Sequence, residues 1–232
     1  MGHVAITTSA ALERSIMSQR LVPHPSPTTH RYRVGDVAAY FAAPMWALQS
    51  VIWVAAPKVQ AESAPFRITS PLLFMLVWSS IAGAVALSAA SAASIPQKVN
   101  APRSRASRGA TVLANSSLTM AAIATTCIIL APLPSAQEAA VAAMTNLLNG
   151  ATVLLAASLT LCAFLCWTLE GVSSATTARS TSLAAGTIAL IVAIVASGTH
   201  SVVGLYFAVT VAGLNGVAWF VWARIPRATG EL

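Results

Sequence analysis

A chain of 232 residues that is 56% hydrophobic and only 8% charged, with a mean hydropathy of +0.74, lacks the composition of a water-soluble globule. Such a domain carries about 25% charged residues, so most of this surface must face lipid. The net charge of +7 and pI near 10.2 would suggest nucleic acid if the basic residues formed one patch. They lie instead in short segments between apolar runs, which is the positive-inside arrangement of membrane proteins and argues against a nucleic-acid partner.

Residues 1–35 are polar, with Arg14, Arg20, Arg31 and Arg33 and the stretch PHPSP. No apolar core of a secretory signal is present, so this part reads as a disordered basic tail. Met17 offers a second translation start.

Six apolar segments follow, at about 37–56, 71–93, 110–131, 139–167, 182–199 and 202–222. Each is close to the roughly 20 residues that cross a 30 Å hydrocarbon core as a helix. The alternating polarity of barrel strands is absent, and backbone groups in lipid must be bonded within the segment. The expected fold is therefore all-α, a six-helix transmembrane bundle over residues 36–223, with a short tail at 224–232.

Eleven of the thirteen Lys and Arg residues fall in the N-terminal tail, the 2–3 and 4–5 connections and the C-terminal tail. Only Lys58 and Arg67, in the 1–2 connection, lie on the other side. By the positive-inside rule both termini are cytoplasmic, and a bacterial-type plasma membrane is the expected location. The very short 5–6 connection makes those two helices antiparallel neighbours.

The first segment is unusual for an anchor. Pro44 removes a backbone donor and predicts a bend. Trp46, Gln49 and Trp53 follow at i, i+3 and i+7 on one face, either as bundle packing or as an aromatic wall around an apolar or cationic ligand. Segments 2, 3 and 4 are rich in small residues, which let helices approach closely. Segments 4 and 6 each hold an Asn-Gly pair, Asn149-Gly150 and Asn215-Gly216.

Gln49, Asn115, Asn146, Asn149 and Asn215 fall within helices, where an amide needs partners. They serve either as inter-helix hydrogen bonds or as a polar lining. Asn146 and Asn149 share one face, and Gly150 beside them permits a kink. Trp46, Gln49, Trp78, Asn146, Asn149, Tyr206, Asn215 and Trp219 make up the expected substrate-binding set.

Acids are scarce: one aspartate and five glutamates. No acidic pair exists to hold a magnesium–diphosphate, no phosphate-binding loop and no nucleophile elbow. Histidine and cysteine spacings give no metal site, and no cofactor is expected. Asp36 suits the start of helix 1 as a cap. Glu170, at the end of segment 4, and Glu62, in the 1–2 connection, are the acids available to a membrane-embedded enzyme.

Three functional classes fit these residues. The first is a transporter, permease subunit or immunity-type protein that moves or excludes a hydrophobic small molecule, served by membrane lipid and a separate ATPase or other subunit. The second is a metal-independent enzyme of lipid or isoprenoid chemistry, such as an acid-initiated cyclase, with Glu170 or Glu62 as proton donor. The third is a non-catalytic accessory subunit of a membrane complex.

Overall fold

The computed structural model describes residues 28–55, 71–99, 104–130, 137–169, 174–197 and 202–224. The chain divides into two units, Met1–Arg31 and Tyr32–Leu232. The described residues form six helices and no strand: α1 (Thr28–Ala55), α2 (Pro71–Lys98), α3 (Arg105–Leu130), α4 (Gln137–Leu169), α5 (Ser174–Ser197) and α6 (Val202–Arg224). Stretches in α2, α3, α4 and α5 are long and apolar enough to cross a membrane: Met75–Lys98, Arg105–Leu130, Ala139–Leu169 and Thr177–Val195.

The helices overrun the apolar windows because polar residues at a membrane interface still favour helix once a span has nucleated it. Thus α1 starts at Thr28 and α5 at Ser174. Ser104 caps α3: its hydroxyl accepts the Ser107 N–H at 3.1 Å, satisfying one of the orphan donors of a first turn. Helix α1 is continuous through Pro44, and α4 is continuous through Gly150. Helices α3 to α6 pack in sequence, and α2 lies against both α3 and α4.

What packs the bundle is small residues. In α1 the buried face is Gly35, Ala38, Ala39, Ala42, Ala43, Trp46 and Gln49, while Val37, Phe41 and Leu48 face outward. In α3 it is Ala110, Ala114, Ser117, Ala121, Ala124 and Ile128. Lipid is as apolar as a Leu-rich core, so burying large aliphatics between helices gains little; close backbone approach gains dispersion and short hydrogen bonds.

Two hydroxyls exploit that closeness. Ser117 donates to the Ala151 carbonyl at 2.7 Å, and Ser158 donates to the Ala110 carbonyl at 2.8 Å. They fix the antiparallel register of α3 against α4. Gly150 belongs to the same seam, since a Cβ there would lie 2.5 Å from Met120 Cε. Its role here is close approach.

Helix α1 lies against α2 through Gly35 on Ser94 and Met45 on Gly83, and against α6 through Gly216. A Cβ on Gly216 would sit 2.9 Å from the Ala43 carbonyl oxygen and 3.0 Å from Trp46 Cβ. Those neighbours are backbone and first side-chain carbon, which cannot swing away. Gly216→Ala is therefore expected to destabilise by about 1–3 kcal/mol, the usual cost of overpacking. Gly150→Ala, which meets only the mobile end of Met120, should cost less. Unfolding of both variants in detergent, followed by circular dichroism, checks the order; equal losses would contradict the α1–α6 contact.

Candidate functional site

Polar and aromatic side chains converge on the inner faces of α1 and α6. Trp46 is buried because the small residues Ala42, Ala43 and Gly216 leave its indole room beside the seam. Its Nε1 donates to Ser88 Oγ of α2 at 3.0 Å. Gln49, one turn on, is also buried, and its Nε2 donates to Ser50 Oγ at 3.1 Å. Ser50 in turn donates to the Trp46 carbonyl at 3.1 Å. The first two members of the expected face of α1, Trp46 and Gln49, thus point into the bundle; the third, Trp53, lies in α1, but its side chain is outside the described residues.

On α6, Asn215, Trp219 and Trp222 recur at i, i+4 and i+7 and are all buried. Asn215 is fully enclosed, at 0% exposure. Its Oδ1 faces Gly186 of α5, where a Cβ would come within 2.8 Å, so any side chain at that position would have to displace the amide. Neither amide atom of Asn215 has a hydrogen-bond partner among the described residues, and the same holds for Nε1 of Trp219. An amide enclosed without a bond costs about 1–3 kcal/mol. Trp46, Trp219 and Trp222 belong to one apolar cluster with Leu183, Leu190 and Cys166. Gly186 belongs to this neighbourhood without having been singled out from sequence; the signal was a glycine within a span made mostly of Ala, Leu, Ile and Val.

Trp78 is buried in a second cluster, with Ala82, Ile128, Met144 and Leu148, apart from the Trp46–Asn215 group. Asn146 and Asn149 do not join either group. Both are exposed on the outer face of α4, and Asn115 is exposed on α3. The sequence expectation of a buried polar lining therefore fails for these three. The buried positions of α4 are Met144, Leu148, Ala151, Leu155 and Leu159, and the two asparagines fall between them. Tyr206 lies in α6, but its side chain, like Glu62 and Glu170, is outside the described residues.

One end of the bundle is basic. Lys98, at the end of α2, forms an ion pair with Asp36 of α1. Asp36 was expected to cap its own helix; it lies inside α1 and pairs across to α2. Arg179 stands 5.8 Å from the Trp222 ring centroid, and Arg224 stands 4.9 Å from that of Phe220. No group of three or more His, Cys, Asp or Glu that could hold a metal ion occurs among the described residues.

Between α5 and α6, on the outer side, runs an open groove of about 720 Å³ lined by Thr177, Thr181, Ala185, Leu214, Val217 and Val221, among others. Comparison with protein families, curated proteins and solved structures finds no match to the chain.

Proposed function

We propose that the protein is a six-span membrane protein with both termini cytoplasmic that binds a hydrophobic small molecule and moves it or excludes it. The location proposed is a bacterial-type plasma membrane. The distribution of Lys and Arg supports the orientation. A membrane-impermeant thiol reagent should label a cysteine placed at Thr199 from outside the cell and one placed at Thr229 only after lysis. Labelling of both from outside would overturn the orientation.

One observation carries the ligand reading: the enclosed amide of Asn215 beside the indole of Trp219, neither with a hydrogen-bond partner among the described residues. A buried amide is retained at a cost. A ligand with one polar group and an apolar or cationic body would bond the amide and lie along the indoles of Trp46 and Trp219. The chain has no phosphate-binding loop, so ATP-driven movement would draw on a separate ATPase subunit.

The variant Asn215→Leu separates this role from packing, because leucine keeps the branching of the amide at Cγ and needs no hydrogen-bond partner. Protein purified in detergent is extracted, and its bound small molecules are quantified by mass spectrometry. The variant should hold at least about tenfold less of the compound carried by the parent, the equivalent of one lost hydrogen bond to a buried amide, with an unchanged or higher melting temperature. Equal ligand content, or a parent protein that carries none, would sink the reading.

A second reading, an accessory subunit in a membrane complex, is favoured by Asn115, Asn146 and Asn149. Their amides are exposed on stretches apolar enough to cross a membrane. A neighbouring subunit's helix would satisfy them, at about 0.6–2 kcal/mol for each bond. On this reading a membrane partner co-purifies with the parent protein and is lost from the Asn146→Leu/Asn149→Leu variant. Undiminished co-purification would count against it.

A further inference from the structure

We infer that the outward face of α3 is a self-association surface, at which two copies of this chain pair in parallel with Asn115 against Asn115. The face is set by spacing. Val112, Asn115, Thr119, Ala122, Thr126 and Ile129 follow one another at alternating steps of three and four residues, and all six are exposed. That alternation is the seam of a left-handed helix pair, the commoner crossing in membranes. At 1.5 Å per residue the seam runs for about 26 Å, nearly the depth of a hydrocarbon core of about 30 Å. It lies within Arg105–Leu130, a stretch apolar enough to cross a membrane. Inside the chain α3 packs on α2 and α4 with its other face, from Ala110 to Ile128. Helix α4 has no such seam. Its outward stripe of Ala142, Asn146, Asn149 and Val153 is interrupted at Ala156, which is buried.

Symmetry and chemistry select the occupant. Copies of one chain share one orientation in a membrane, so α3 meets α3 in parallel. About a twofold axis along the membrane normal, each residue then faces its own copy. Such a seam needs polar groups that complement themselves. A carboxamide donates through its nitrogen and accepts through its oxygen, so two Asn115 side chains complete each other. The Asn115 backbone carbonyl is already taken by Thr119, whose hydroxyl donates to it at 3.0 Å. That bond keeps the threonine within its own helix and leaves the amide as the group turned to a partner. Thr119 and Ala122, on either side of the next turn, are small enough for the close approach an amide bond requires. No charge lies between Val112 and Ile129. Arg105 and Arg108 prolong the stripe at the start of α3; they precede the uncharged stretch, and their long side chains turn out to the interface. A helix of another sequence would have to bring its own amide to the same depth and register, whereas a second copy does so by construction.

The inference assigns one of the three amides that favour an accessory subunit, and it holds or fails apart from that reading, because Asn146 and Asn149 take no part in the pair. The first test is made in native membranes on a Cys127→Ala chain. Ala122→Cys, on the seam, should be oxidised by copper phenanthroline to a product of twice the chain's mass. Thr125→Cys, exposed but off the seam, should cross-link far less.

The second test uses purified full chain in phosphatidylcholine vesicles, with energy transfer between copies labelled at their C-termini read over a range of protein-to-lipid ratios. Asn115→Leu should weaken association about tenfold, through the loss of the paired amide bonds, with a helix content unchanged by circular dichroism. Asn146→Leu/Asn149→Leu should leave association as it is. A parent chain that stays monomeric over that range, equal cross-linking at the two cysteines, a cross-linked product of any other mass, or undiminished association of the Asn115→Leu variant would each overturn the inference.

Discussion

A backbone amide in hydrocarbon has no solvent to turn to, so its partner must come from the chain itself. That constraint makes every described element a helix, and it decides how the helices meet. Once their own ladders are closed, helices in lipid gain from one another only through close approach and the few bonds it permits. Alanine, glycine and serine therefore occupy the seams. Ser117 and Ser158 can reach carbonyls on the opposite helix because no larger side chain holds the backbones apart. The same closeness lets Trp46 of α1 reach Ser88 of α2.

This packing inverts the pattern of a soluble protein. Phe41, Val37 and Leu48 face outward on α1, while alanines fill the interior. On α1 the large buried apolar side chain among those described is Trp46, and on α6 they are Trp219 and Trp222. Trp46 and Trp219 supply most of the volume at the meeting of α1 and α6. Asn215 is placed among them by Gly186, whose missing side chain is the space the amide fills.

The helices were legible because long apolar runs admit one backbone solution in lipid. The inward face of each was much less so. When lipid and core are equally apolar, hydrophobicity has no gradient across a helix, and phase has to be read from small residues instead. The two Asn-Gly pairs show the consequence. Asn215 lies in phase with Trp219 and Trp222 and is enclosed; Asn149 falls between the buried positions of α4 and is exposed. Nothing in the local sequence LLNG against GLNG distinguishes them. The Trp46–Gln49 face was legible because tryptophan and glutamine at i and i+3 are costly to expose to lipid together. The Lys98–Asp36 pair was not, because it joins helices whose mutual rotation no sequence period encodes.

The two serine bonds between α3 and α4 have a mechanical consequence. One staple fixes the distance between two helices and leaves them free to swivel; a second, placed about two turns along, removes the swivel and the slide together. The α3–α4 pair is thereby a single stiff plank. The thiol of Cys162, 3.8 Å from the Ala92 carbonyl, lays α2 against the same plank. The α1–α6 seam is of another kind: there glycine meets carbonyl, with Gly216 against the Ala43 oxygen, and the Asn215 amide lies beside it.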